Sequence, residues 1–184
     1  MIEALIDEVI EREGGYVHHP ADRGGPTRWG ITQSVARAHG YAGEMRLLPR
    51  ARAAAIYQAD YWERPCFDAV AMRAEELAGE LFDTGVNMGP ATAVRFLQRA
   101  LNALNRGAGD YPDIAVDGRI GSATLGALDG YLAVRGHAGE RVLLTAIEAL
   151  QGERYIALAE ARPGNEAFLY GWLANRIGSL GAAN

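Results

Sequence analysis

The chain has 184 residues, 49% apolar and 22% charged, with 18 basic and 23 acidic side chains and a formal net charge of −5. That is enough for one domain or two small ones, and the acidic balance argues against a duplex nucleic-acid partner. All of the basic residues are arginine, which excludes a P-loop nucleotide site, Schiff-base chemistry and a Ser/Lys nucleophile pair.

Cys66 is the one cysteine, so neither an intrachain disulfide nor a Cys-based zinc site can form. His18 and His19 are adjacent, and no further His or Cys stands at ligand spacing, so no metal and no cofactor is expected. No stretch approaches the roughly 20 apolar residues that span a bilayer, and no membrane insertion is expected. The opening Met1-Ile-Glu-Ala-Leu-Ile-Asp-Glu8 has no basic flank and is not a secretory signal. A cytoplasmic product is expected, delivered to any outside target by another system.

In chain order, Ile2, Leu5, Ile6, Val9 and Ile10 form the apolar stripe of a helix over 2–13, which Gly14-Gly15 ends. A turn-rich stretch from Val17 to Thr32 holds Pro20, Gly24, Gly25, Pro26 and Gly30, with room for one short hairpin. Ser34 caps a short helix ending at Gly40. Pro49 heads a helix that runs to about Trp62. Another helix covers 73–86, with Leu77, Leu81 and Phe82 inward, and Gly89-Pro90 breaks it. Val94, Leu97, Leu101 and Leu104 line the next helix. Residues 105–121 form a loop. Helices follow from Thr124, from Val142 to Ala161 and from Leu169 to Leu180. Trp172 and Leu173 on the last apolar stripe are expected to face the core. The seam falls at Gly89-Pro90, giving parts 1–89 and 90–184.

Four residues beyond Val9, the apolar stripe reaches Glu13. A carboxyl placed where the pattern asks for Leu is partly desolvated, and desolvation favours the protonated form that a general acid needs. The alternative is a frayed last turn with Glu13 in water. Asp22 follows after a turn-rich loop that can bring a second carboxylate near the first. Such a pair is the equipment of glycoside hydrolysis. Equally, Asp22 can serve its own turn with Gly24 and Gly25. Thr27 and Thr32 could position a water or be structural. Tyr16, Trp29, Tyr57, Tyr61 and Trp62 gather around the same region. Aromatic planes suit sugar faces, and they suit cores just as well.

The run Glu13-Gly-Gly-Tyr16, continued by His19-Pro-Ala-Asp22-Arg-Gly-Gly25 and Thr27-Arg-Trp-Gly-Ile-Thr32, resembles the signature of the glycoside hydrolase family 108 N-acetylmuramidases. These are phage-type endolysins and related bacterial secretion activator proteins. The resemblance continues through Asp60-Tyr-Trp62 and Leu81-Phe-Asp83-Thr-Gly-Val-Asn87-Met-Gly89. The second part resembles the predicted peptidoglycan-binding domain that accompanies the family. Its marks are Phe96-Leu-Gln-Arg-Ala-Leu101, Val116-Asp-Gly-Arg-Ile-Gly121 and Phe168-Leu-Tyr-Gly-Trp-Leu173.

The resemblance implies a mainly α, lysozyme-like fold with a helical C-terminal part packed on it. It implies cleavage of the β-1,4 bond between N-acetylmuramic acid and N-acetylglucosamine, with Glu13 as the catalytic acid. Asp22 would support the developing positive charge or orient water, and Thr27 would position the water. Thr27 follows Asp22 one residue sooner than in phage lysozymes, which leaves Thr32 as a substitute. Tyr16, Trp29, Thr32, Tyr61 and Asn87 would bind substrate. The expected partner is the peptidoglycan glycan strand, met by a monomer that reaches the periplasm or cell wall through a holin pore or an export system. Two rivals stand beside this reading. One is a lytic transglycosylase acting on the same bond; the other is a non-enzymatic wall-binding or secretion-accessory protein in which Glu13 is an ordinary acid.

Overall fold

The computed structural model describes residues 1–18 and 25–177. Two compact units divide the chain, Met1–Arg64 and Pro65–Asn184.

In the first unit, helix α1 (Ile2–Glu13) buries Ile6, Val9 and Ile10 and packs on helix α3 (Arg50–Tyr57), which buries Ala53, Ile56 and Tyr57. The expected hairpin is present and gains a third strand: β1 (Tyr16–Val17), β2 (Thr27–Arg28) and β3 (Ile31–Thr32) form one antiparallel sheet in that order. Helix α2 (Gln33–Ala38) is capped by Thr32, whose Oγ1 accepts from the Val35 N–H at 3.4 Å. Ser34, the expected cap, instead lies in the first turn and bonds that hydroxyl at 3.0 Å. Thr32 wins because it is still in extended backbone, as an N-cap must be.

Pro49 stands before α3, as expected. The helix does not continue in α form to Trp62, however. Residues Gln58–Glu63 form a π turn, with the Arg64 N–H bonded to the Ala59 carbonyl at 3.0 Å.

The second unit is helical: α4 (Phe67–Ala71), α5 (Glu75–Met88), α6 (Pro90–Ala103), α7 (Ser122–Ala161) and α8 (Glu166–Arg176). Helix α4, absent from the sequence expectation, is at five residues too short to show a period. The expected inward residues Leu77, Leu81 and Phe82 are buried on α5, as are Val94, Leu97 and Leu101 on α6. Helix α5 packs on α4, α6 and α7.

The loop 105–121 has no regular structure, and side-chain amides of α6 and its end supply its missing hydrogen bonds. Gln98 donates to Asp117 Oδ1 at 2.8 Å and accepts from the Gly118 N–H at 2.9 Å. Asn102 exchanges two bonds with the Ile114 backbone, at 2.7 and 2.9 Å. Asn105 donates to the Tyr111 carbonyl at 2.6 Å.

The two helices expected from Thr124 and from Val142 meet within α7 at Gly136, the non-helical residue of that span (φ 61°, ψ −161°). On α8, Trp172 and Leu173 are half-buried rather than buried. Trp172 stacks on Tyr155, with ring centroids 5.2 Å apart. Among the described residues no helix is long and apolar enough to cross a membrane.

Candidate active site

Glu13 is the last residue of α1. Its expected burial is not found: the side chain is exposed. Gly14 explains this, because at φ 73° it turns the chain away after bonding its N–H to the Ile10 carbonyl at 3.1 Å. The stripe therefore ends before a further turn can cover position 13.

The stem of Glu13 is nevertheless in contact. Register pairs Arg28 with Ile31, leaving Trp29-Gly30 as a two-residue hairpin loop. Both loop residues have positive φ, 55° and 74°, the pattern of a type I′ turn that matches strand twist. Gly30 is required there twice over. A Cβ at position 30 would stand 2.3 Å from the Tyr57 hydroxyl oxygen and 2.9 Å from Glu13 Cγ.

Trp29 has a side chain at positive φ, which is uncommon, and three contacts hold it. Its indole N–H donates to the Leu48 carbonyl at 3.0 Å. Its own carbonyl accepts from the Tyr57 hydroxyl at 3.2 Å. The Arg28 guanidinium lies 5.1 Å from its ring centroid.

Two phenols complete the surroundings of Glu13. Tyr57, buried on α3, has its ionisation pushed upward by burial first, then by the charges of Glu13 and Tyr61. Tyr61, in the π turn, is raised by burial, then by Asp60 and Glu13. Both hydroxyls thus stay protonated at neutral pH within electrostatic reach of Glu13. The two rings are 5.6 Å apart. The sequence places Tyr57 only among the clustered aromatics; its spacing of four from Tyr61 is the signal that joins the pair.

Thr27 and Thr32, weighed as alternatives from the sequence, are Cα partners across β2 and β3. The Thr32 hydroxyl is engaged in capping α2, whereas that of Thr27 has no hydrogen-bond partner among the described residues. Tyr16 lies in β1 opposite Arg28, with the Arg46 guanidinium 4.6 Å from its ring centroid. Asp22 lies outside the described residues.

A further carboxylate of the first unit is Asp60, whose Oδ2 meets His39 Nε2 at 2.8 Å and whose Oδ1 meets Arg64 at 2.9 Å. In the second unit, Asn87 on α5 donates its amide N–H to the Asp83 carbonyl at 2.7 Å and to Asp83 Oδ2 at 3.2 Å.

Residues 6–89 match the family model described as glycosyl hydrolase 108. This part of the chain thus carries a glycosyl hydrolase 108 domain at the expected position. Residues 92–177 match a second model, the predicted peptidoglycan domain. Helix α5 thus falls within the hydrolase family's span although it packs in the second compact unit. The pairing of the two domains supports a peptidoglycan hydrolase with peptidoglycan as its partner. The chain is also similar to a solved structure of Brucella abortus SagA, with 24% identity and a TM-score of 0.66, covering 97% of this chain and 90% of that one. That likeness bears out the mainly α, lysozyme-like fold class. No curated protein matches the chain.

Proposed function

We propose that this glycosyl hydrolase 108 domain is an N-acetylmuramidase, cutting the β-1,4 bond from N-acetylmuramic acid to N-acetylglucosamine with Glu13 as general acid. The observation that carries the reading is the setting of Glu13. Its carboxyl projects from a helix end, its stem is held by Gly30, and two protonated tyrosines stand within electrostatic reach. An exposed carboxyl with a fixed stem can receive a glycosidic oxygen and return to solvent for its next proton. When a sugar covers it, water leaves, and the phenol donors gain strength in the drier site. Asp22 serves as the second carboxylate, stabilising the oxocarbenium-like transition state or orienting water. Thr27, whose hydroxyl has no partner among the described residues, is better suited to hold that water than Thr32, which caps α2. Tyr16, Trp29 and Tyr61 offer ring faces to the sugars, and Thr32 binds substrate beside them. Asn87 on α5 is proposed to bind substrate as well. The protein acts in the cell wall as a monomer after release or export.

The test is digestion of purified peptidoglycan by wild type and Glu13→Gln, with products read by mass spectrometry. New reducing N-acetylmuramic acid ends are expected from wild type. Glu13→Gln should slow their release by about 10²–10⁴-fold with an unchanged melting curve, because position 13 is exposed. Products one water lighter, with 1,6-anhydro ends, would make the protein a lytic transglycosylase. Retention of more than a third of the activity in Glu13→Gln would remove Glu13 as the acid.

A further inference from the structure

We infer that a cavity in the second unit, bounded by the ends of α5, α7 and α8, binds the carboxylate-bearing stem peptide of peptidoglycan. The inference rests on peptidoglycan being the ligand and adds which part of it is held there.

The cavity has a volume of about 320 Å³, within the range of small-ligand sites. Its lining contains two guanidiniums, Arg154 and Arg176, and no carboxylate. Arg154 is exposed and has no ion-pair partner among the described residues. Arg176 reaches Asp83 through Nη1 alone, 3.3 Å from each carboxylate oxygen. Its other N–H groups have no carboxylate among the described residues. A planar guanidinium with free N–H groups is matched best by a carboxylate, which it can bond twice.

The rest of the lining fits the body of a peptide. Trp172 forms one wall, held in place by stacking between Tyr155 and Phe168, with centroids 5.2 and 6.1 Å away. Leu158 and Met88 add apolar surface for methyl and methylene groups. Asn87 uses its amide N–H on Asp83. Its carbonyl oxygen has no partner among the described residues and can accept a peptide N–H. A neutral sugar alone would leave both guanidiniums unengaged. The stem peptide is the part of the wall polymer that combines carboxylates, amides and short alkyl groups.

The experiment measures binding of the full chain, by calorimetry, to the disaccharide N-acetylglucosaminyl-N-acetylmuramic acid in three forms. One carries the stem peptide, one carries it with its carboxylates amidated, and one has no peptide and has its lactyl carboxyl capped as an amide. None contains the bond that the proposed activity cuts. The peptide-bearing form should bind at least about 10-fold more tightly than the other two. Arg154→Gln should weaken that form about 10-fold and leave the peptide-free form unchanged, with Arg154→Lys between. Equal affinity for all three forms would overturn the inference, as would an Arg154→Gln variant that binds normally or loses all forms alike. Absent hydrolysis in the earlier test would defeat the muramidase reading and leave this measurement as it stands.

Discussion

Gly30 touches Glu13 at the tip of the β2–β3 hairpin: a Cβ on Gly30 would come within 2.9 Å of Glu13 Cγ and 3.2 Å of its Cβ. The hairpin tip acts as the rest against which the candidate acid's stem is set. Its absent side chain leaves room for the Tyr57 hydroxyl on the same spot.

Gly30→Ala should therefore damage stability and activity together. Positive φ and the Tyr57 overlap sum to about 2–4 kcal/mol. Adding Tyr57→Phe removes the oxygen that the new methyl meets at 2.3 Å, so the double variant should lose less than the sum of the singles. Urea melts of the four proteins check this; strict additivity would show that the two positions do not compete for space.

Helix α5 has no cap side chain of its own. The Leu77 N–H in its first turn instead donates to Glu140 Oε1, at 3.2 Å, from α7. Glu140 is 6% exposed, so solvent cannot replace it. Glu140→Leu should cost about 1–2 kcal/mol. Glu140→Gln keeps an acceptor oxygen and should cost less. Denaturant midpoints separate the two, and equal losses would show that the cap bond is not what matters.

Replacing Gly136 by alanine would ordinarily stabilise a helix by about 1 kcal/mol. Here the opposite sign is expected. The backbone at φ 61° and ψ −161° is accessible essentially to glycine alone, so Gly136→Ala should destabilise by about 1–3 kcal/mol. A melting temperature above wild type would mean that α7 can run through the break.

Glu80 gives the stability a pH dependence. Burial raises its acid ionisation to about 7, partly opposed by the Thr84 hydroxyl bond and reinforced by Asp83 and Glu148. Thr84 donates to Glu80 at 3.1 Å and accepts from Gln151 at 3.0 Å. The native state binds the proton more tightly than the unfolded chain, whose Glu ionises near 4.3. Stability is then unaffected by this group below about pH 4 and falls as pH rises toward 7, by up to about 1.4 kcal/mol per pH unit. Above that it stays at the lower level. Glu80→Gln should flatten this fall and be the more stable protein at pH 8. Chemical denaturation from pH 4 to 8 measures it, and parallel curves for the two proteins would remove Glu80 as the source.

The helices were legible wherever an apolar face repeats, as in Ile6, Val9 and Ile10 or Val94, Leu97 and Leu101, because burial of one face sets that spacing. Position 136 was legible only as a gap between two periodic stretches. The α4 turn was not legible, since Phe67 and Val70 alone define no period. Glu13 was found by extending a stripe, yet the stripe's physical premise, burial, did not hold; Gly14 ends the helix too soon. Tyr57 and Gly30 escaped as site residues because their closeness to Glu13 depends on hairpin register and helix packing, which span dozens of residues of sequence. Asp60 escaped because its partner His39 lies 21 residues away.

The π turn at Gln58–Glu63 sets how the site tolerates insertions and deletions. A π turn is an α-helix holding one residue more than its turn requires. Losing one residue between Tyr57 and Tyr61 would let the ladder relax to α spacing, the wide turn absorbing the change. The two phenols would then stand three residues apart, still neighbours on one helix face. The segment is thus a store of slack beside the acid, and a one-residue deletion within it is expected to leave the pair of phenols together.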